Sequence, residues 1–515
     1  MKEDNVTQRD SKTKNSSRNL IFGICLKVYQ LLVPFAIRTI IIKILGMEYA
    51  GLNSLFVSIL QVLNIAELGV GFALVYSMYK PIEENDTKTI CALMRLYKIY
   101  YRIIGVVILF IGAVLTPFLS KLINGSVPSN VNLYILYYLN LGATVLSYWL
   151  FAYKNALFQA HQRNDIISKI TIVTNTIMYV LQITLIFVLK DYYAYVVVIL
   201  IAQILNNILI ANQADRFFPQ YKVEGVLEKE EVKKINSSIK DLFFAQLGLI
   251  VTTSVDSIVI SAFLGLIPLA IFQNYYYILN AIIGFFTIFY QSCRASIGTN
   301  LISKSETYNY MDYKFITLIV MGLLSFCISC LVCMYQPFIE LWVGKENMLD
   351  GLCVALFAMY LLVYEITLMI GTYKDASGKW HADRFRPLIT AVVNLIINIT
   401  LVQAIGIYGI LISTILSFVL INIPWLYHRV FIDVFSKELK RDYGIYLAKK
   451  LIILIVIVLI NISLCYAIKI ANLWLSLCIN FVICSVTSLV LYYLLNISDP
   501  AIARLKNLIH EKIKI

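Results

Sequence analysis

Apolar residues run along this chain in blocks of about 20 or more, parted by short polar or charged segments, from residue 20 to residue 495. A helix needs about 20 mostly apolar residues to cross a hydrocarbon layer, so each block predicts one crossing. The blocks fall at 20–45, 52–79, 101–119, 131–153, 166–189, 193–212, 241–263, 268–293, 313–335, 351–373, 387–404, 408–427, 451–470 and 473–495. They predict an all-α polytopic membrane protein with about 14 transmembrane helices. The eleventh and twelfth blocks are parted only near Gly406, and the last two only near Ala471.

Composition supports that reading. The 515 residues are 60% apolar and 14% charged, with a mean hydropathy of +0.79. Soluble domains run about 45–50% apolar and about 25% charged, and no single soluble core hides this much apolar surface. The first 19 residues are polar and rich in Lys and Ser, which predicts a cytoplasmic tail. The run 20–45 is too long for a signal peptide and lacks a small-residue cleavage site.

The net charge of +13 changes the picture only through its placement. An even number of crossings puts both ends on one side, and basic residues mark the cytoplasmic side. Of the 43 Lys and Arg residues, 36 fall on the tails, on the even-numbered connections or in the first residues of the blocks that follow them. Five fall opposite, at Lys43, Lys121, Lys190, Lys345 and Lys469, and Lys27 and Arg38 lie inside the first block. Both termini are therefore expected in the cytoplasm, and nucleic acid is not an expected partner.

The longest inner connection, Asn212 to Lys240, carries Glu228-Lys229-Glu230-Glu231 and reads as a charged helix. It divides the first twelve crossings evenly. Arg38-TIIIKILGMEYAGLNSLFVSILQVL also parallels Asp256-SIVISAFLGLIPLAIFQNYYYILNAI, with Gly46 set against Gly265 by one gap. Internal repeats commonly frame a transporter's substrate site. The expected organisation is a tail (1–19), an N-lobe of six helices (20–212), an inter-lobe linker (213–240) and a pseudo-symmetric C-lobe of six helices (241–430). A connection (431–450), a terminal helix pair (451–495) and a second cytoplasmic tail (496–515) follow.

Ionisable groups inside spans are costly, so they face a cavity or pair with one another. Lys27, Gln30, Pro34 and Arg38 share one face of the first span. Asp256 sits at nearly the depth of Arg38 in the seventh span, with Thr252 and Thr253 on its side, and aligns with Arg38 in the repeat. Arg38 and Asp256 are expected to face each other between the lobes as an outer gate. Glu67 lies mid-span with Asn64 and Gly71 on its face. Asn280, Thr287, Gln291 and Arg294 form a stripe in the eighth span, and Glu365 lies near the middle of the tenth. Asn394 and Asn398 read as interhelical hydrogen bonders. The expected cavity residues are thus Lys27, Arg38, Arg294, Gln291 and Asn280, with Asp256, Glu67 and Glu365 as gate or cation-coupling groups. Cationic groups suit a phosphate or pyrophosphate head group. Tyr134, Tyr137, Tyr138, Tyr275, Tyr276 and Tyr277 offer surfaces for stacking on sugars.

Ten cysteines sit mostly in apolar runs, and Cys327, Cys330 and Cys333 are spaced C-x2-C-x2-C. With no fourth soft ligand nearby in sequence, they read as small apolar packers, and no metal is expected. The chain has no Gly-x-x-x-x-Gly-Lys-Ser/Thr loop for a nucleotide. All four histidines, His161, His381, His428 and His510, fall on the expected inner side, and no large outer loop carries catalytic residues.

Several motifs carry a resemblance. They are Leu45-Gly46-x-x-x-x-Gly51-Leu52, Glu67-Leu68-Gly69, Gln159-Ala160-x-x-Arg163, Ala376-x-Gly378-Lys379-Trp380, and Asn394-Leu395 leading to Gly406-Ile407-Tyr408-Gly409. In that order the chain resembles the bacterial polysaccharide (Wzx-type) flippases of the multidrug/oligosaccharidyl-lipid/polysaccharide exporter superfamily. The resemblance covers essentially the whole chain. It implies two six-helix lobes in a V shape, alternating access, and export of undecaprenyl-pyrophosphate-linked oligosaccharide repeat units for capsule, O-antigen or exopolysaccharide. It implies no cofactor beyond Na+ or H+ coupling or the membrane potential. The implied partners are the lipid-linked oligosaccharide, membrane lipids, and the polysaccharide polymerase and chain-length machinery. Glu67 stands where an aspartate is common in such proteins. Some relatives, the lipid II flippases among them, carry a thirteenth and fourteenth helix that shelter a lipid tail. The rival readings are a cation-coupled multidrug or small-molecule antiporter of the same superfamily and a membrane polysaccharide polymerase.

Overall fold

Hydrocarbon offers no partner to a backbone N–H or C=O, so a chain that crosses it must bond those groups within its own helices. The computed structural model follows that rule. It describes the backbone of residues 2–502 apart from 68, 126, 380–382, 469 and 471. Side chains are described from residue 18 onward, apart also from 20, 24, 241, 244–246, 249, 251–253 and 295. The described residues form helices and connecting turns, without strands.

The first compact unit spans residues 1–270. It contains α1 (Lys2–Ile44), α2 (Met47–Leu63), α3 (Val70–Glu83), α4 (Thr87–Leu115), α5 (Leu133–Trp149), α6 (Asn155–Ala160), α7 (Asn164–Leu189), α8 (Tyr192–Phe217), α9 (Lys229–Leu264) and the first turn of α10 (Leu266–Ser303). Within it α1 packs on α7, α7 on α8, α5 on both α4 and α8, and α9 on α2 and α3. The second unit spans residues 271–515. It holds the rest of α10, then α11 (Glu306–Val343), α12 (Gly351–Ala376), α13 (Arg386–Ile405), α14 (Ile407–Ser417), α15 (Ile423–Asp433), α16 (Leu439–Ala467) and α17 (Leu473–Leu495). The terminal pair α16 and α17 packs on itself and on α11.

Twelve described helices are long and apolar enough to cross a membrane. The pair α5–α6, bent by 48°, makes a further crossing if it counts as one span. The seventh predicted crossing is the C-terminal part of α9, an unbroken helix of 36 residues. The expected splits near Gly406 and Ala471 are both present, between α13 and α14 and between α16 and α17.

Three predicted elements differ. The block 52–79 is not one helix: α2 ends at Leu63, Asn64–Glu67 form a 3-10 turn, and α3 starts after Gly69. Gly69 turns the chain with φ +87°, a conformation an L side chain resists. The charged linker is not a separate helix either. Pro219 ends α8, residues 218–228 are irregular, and the charged stretch opens α9. Glu230 and Glu231 sit in its first turn, where they complement the helix dipole. Third, the twelfth block is α14, one turn of π-helix at Phe418–Asn422, and α15. Pro424 lacks an N–H to donate to the turn before it, and the local pattern adjusts there.

The aligned glycines of the repeat have the same backbone geometry. Gly46 joins α1 to α2 at φ 113°, ψ 171°, and Gly265 joins α9 to α10 at φ 100°, ψ −177°. Gly265 is also crowded, since a Cβ there would stand 2.7 Å from the Asn124 carbonyl oxygen. Gly51 allows a close approach of α2 to the start of α10, because a Cβ there would overlap the Leu266 carbonyl. We predict that Gly265→Ala lowers the melting temperature of the detergent-solubilised protein by several degrees. Gly284→Ala, in open space within α10, should leave it unchanged or slightly raised. Equal melting temperatures for both variants would refute the strain at Gly265.

Candidate functional site

In the first unit, the break between α2 and α3 places Glu67 against α4 and α5. Its Oε1 accepts a hydrogen bond from the Tyr101 hydroxyl at 3.0 Å. Tyr101 and Tyr97, one turn apart on α4, share a hydroxyl–hydroxyl bond of 3.0 Å. With Tyr101 donating to the carboxylate, Tyr97 donates to Tyr101. Tyr148 of α5 stacks edge-on against Tyr101 at 5.3 Å and donates to Asn64 Oδ1 at 3.2 Å. A Cβ at residue 71 would lie 3.0 Å from Glu67 Oε1, so Gly71 leaves room for the carboxylate. Asn64, Glu67 and Gly71 were legible as one face, but Tyr97, Tyr101 and Tyr148 were not. The i, i+4 spacing of Tyr97 and Tyr101 was the only local signal for them.

Arg38 is half-buried and tied at both ends of its guanidinium. Nη1 donates to Ser54 Oγ at 3.1 Å, and Nη2 to the Ala270 carbonyl at 3.0 Å. It therefore links α1 to α2 and to the first turns of α10. Asp256 is buried in α9, close to Ser254, which donates to Gln61 Oε1 of α2 at 3.0 Å. Arg38 and Asp256 belong to the same unit. Lys27 and Gln30 are exposed on the span-forming part of α1. Thr252 and Thr253, read as neighbours of Asp256, lie outside the described side chains.

In the second unit, Asn280, Gln291 and Arg294 are exposed along α10. Thr287 between them turns back to the Ile283 carbonyl. Arg294 reaches Asp375 at 3.3 Å. That contact extends a buried chain of charges, in which Lys374 pairs with Asp375 at 2.9 Å and with Asp383 at 2.8 Å. Arg386 pairs with Asp383 at 2.9 Å and bonds Asn422. The Ala376-x-Gly378-Lys379 motif sits beside this chain, with Gly378 at φ +72° and Lys379 donating to the Asp433 carbonyl. Trp380 and His381 lie outside the described residues, as does His510.

Glu365 is fully buried in α12, and neither carboxylate oxygen has a hydrogen-bond partner among the described residues. The Tyr290 hydroxyl donates to its backbone carbonyl at 3.2 Å. A carboxylate is costly to bury in such a setting without a compensating partner. Asn394 and Asn398 act as interhelical bonders, to Thr414 at 3.0 Å and from Ser413 at 2.6 Å.

One buried cluster was missed. Asp165, at the start of α7, is inaccessible and meets Arg18 at 3.0 Å, Arg163 at 3.0 Å and Lys169 at 3.6 Å. It ties α1 to α7 and accounts for Arg163 in the Gln159-Ala160-x-x-Arg163 motif.

A family model for polysaccharide biosynthesis proteins matches residues 16–293. The chain belongs to the polysaccharide biosynthesis protein family. Comparison with curated proteins finds no match. Among solved structures, the lipid II flippase MurJ in an inward closed conformation is similar with a TM-score of 0.65 at 14% identity, over 93% of this chain and 99% of that one. An inward-facing multidrug resistance MATE family transporter of the MOP superfamily has a TM-score of 0.62 at 14% identity, over 78% and 95%. The MATE transporter VcmN of Vibrio cholerae, as a mutant, gives 0.54 at 14%, over 82% and 98%. These likenesses show a shared fold and agree with the multi-pass membrane architecture. In this polysaccharide biosynthesis family member, the matched segment contains Lys27, Arg38, Glu67, Asp256, Asn280 and Gln291. Arg294 and Glu365 lie beyond it.

The buried charge chain generates a stability prediction. Removing one member of a buried pair leaves an uncompensated charge, at a cost of about 3–5 kcal/mol. Asp383→Asn should lower unfolding stability on that scale, because Lys374 and Arg386 both lose their carboxylate. Lys80→Ala, which removes an exposed pair with Glu84, should change it by about 0.5 kcal/mol or less. Thermal unfolding of the two purified variants checks this, and a mild Asp383→Asn would mean water reaches the cluster.

Proposed function

We propose that the protein flips undecaprenyl-pyrophosphate-linked oligosaccharide repeat units across the bacterial cytoplasmic membrane, for assembly of a surface polysaccharide such as capsule, O-antigen or exopolysaccharide. The observation that carries this reading is two separate sets of exposed cationic and amide side chains in helices that otherwise match hydrocarbon: Lys27 and Gln30 on α1 in the first unit, and Asn280, Gln291 and Arg294, which also meets Asp375, on α10 in the second. An isolated ion in hydrocarbon costs tens of kcal/mol by idealised estimates. Exposed cations within spans therefore call for a watered cavity, and they suit a pyrophosphate head group. Membership in the polysaccharide biosynthesis family supports the substrate class, and the flippase-like fold supports the act of transport. The proteins that share the fold are named as a flippase and as transporters, which supports a non-enzymatic role.

Arg38 and Asp256 are the gate in this reading, with both termini cytoplasmic, a placement the distribution of Lys and Arg supports. Glu67 and Glu365 are the coupling groups. Each has a state it reaches only by gaining or losing a proton or cation, so a gradient or the membrane potential can bias the populations that expose the cavity. Glu365, buried with no hydrogen-bond partner for its carboxylate among the described residues, favours a second reading as a cation-coupled antiporter.

Two experiments test these assignments. Deleting the gene should trap lipid-linked repeat units on the inner leaflet and abolish surface polymer, measured by leaflet-specific labelling. Normal polymer with raised drug sensitivity would favour the antiporter, and short chains with normal export of single repeats would favour a polymerase. For the gate, Arg38→Asp and Asp256→Arg should each reduce polymer output more than tenfold, and the double exchange should restore much of it. Failure of the exchange, with normal membrane levels of all three variants, would remove the pair from the gate.

A further inference from the structure

Three helices of the second unit meet in two adjacent polar layers. In the first, the Asn461 amide of α16 donates to Ser329 of α11 at 3.0 Å and to Ser488 of α17 at 3.0 Å. All three side chains are buried. Four residues along each helix from this node stands a cysteine: Cys333 after Ser329, Cys465 after Asn461, and Cys484 before Ser488. Since α17 runs opposite to α11 and α16 at this register, one helical turn carries all three in the same direction, by about 5.4 Å. The three sulfurs lie within 4.8 Å of one another, and Cys465 Sγ is 4.0 Å from Cys484 Sγ. The hydrogen-bond node fixes the register, so the thiols are brought together by the packing itself.

We infer that Cys333, Cys465 and Cys484 form a binding site for a soft monovalent metal ion of the Cu(I) class, which clamps α16 and α17 to α11. The spacing suits it. With metal–sulfur bonds of about 2.3 Å, three sulfurs in a trigonal plane stand about 4.0 Å apart. Sulfur donors select soft ions such as Cu(I). Structural zinc takes four ligands, and among the described residues no His, Asp or Glu joins the trio within the same reach. Cys330, one turn away on α11, approaches Cys484 but lies outside the trio. Charge also favours a monovalent ion in this apolar setting. Its binding needs one thiol to release one proton to water, which leaves the site neutral with the other two sulfurs as uncharged donors. Cys465 is half-buried and two residues from the end of α16, which gives an ion a route in. The C-x2-C-x2-C row of the sequence contributes only its last member.

The test uses the full chain, purified in detergent under reductant and titrated with Cu(I) against a chromophoric Cu(I) chelator. The wild type should hold one Cu(I) per chain at least 100-fold more tightly than Cys484→Ser or Cys465→Ser. X-ray absorption should show sulfur neighbours only, and the metal should raise the melting temperature of the wild type alone. Cys25→Ser and Cys478→Ser, at exposed cysteines, should bind as the wild type does, and so should Cys330→Ser. Melting temperatures of the metal-free variants separate a lost site from a lost fold. Equal Cu(I) affinity in wild type and Cys484→Ser would overturn the site. So would nitrogen or oxygen neighbours at the metal, tighter binding of Zn(II) than of Cu(I), or a disulfide within the trio found by mass spectrometry of freshly isolated protein.

Discussion

Everything in this protein depends on one constraint: a polar group placed in hydrocarbon must find its partner inside the protein. The backbone meets it by being helical through each crossing. Where the helix is interrupted, a glycine or proline marks the place, as at Gly69, Gly406 and Pro424. The interruption between α2 and α3 sets the position of Glu67. It brings Glu67 to the Tyr101 hydroxyl, which Tyr97 and Tyr148 flank, instead of leaving it on a continuous helix face.

Side chains obey the same constraint in three ways. Asp165, and the chain from Lys374 through Asp383 to Arg386, are buried and paired, so their charges serve packing between helices. Lys450, buried on α16, and Asp499, partly buried beyond α17, make a further pair near the end of the described residues. Lys27 and Gln291 are exposed, and Arg294, also exposed, meets Asp375 at the edge of that buried chain of charges. Glu365 is buried, and its carboxylate has no hydrogen-bond partner among the described residues.

The terminal helices illustrate how little apolar area says about pairing. Leu and Ile faces alone would let α16 and α17 slide along α11, because lipid solvates them equally well. The Asn461 node and the thiols beside it supply direction and register.

The length and order of apolar runs decided the helical class, the approximate number of crossings and the glycine turns of the repeat, because each of these depends on residues close together in the chain. The polar stripes on α1 and α10 were legible for the same reason: a helix sets its own faces. Tertiary structure alone decided the rest. Tyr101 stands on Glu67 across 34 positions, Arg18 on Asp165 across 147, and Cys465 joins Cys333 from another helix entirely. Such contacts depend on which helix faces meet. Apolar periodicity shows that a face is buried without naming its partner, so the sequence could count the helices but not assign the neighbours that turn polar residues into sites.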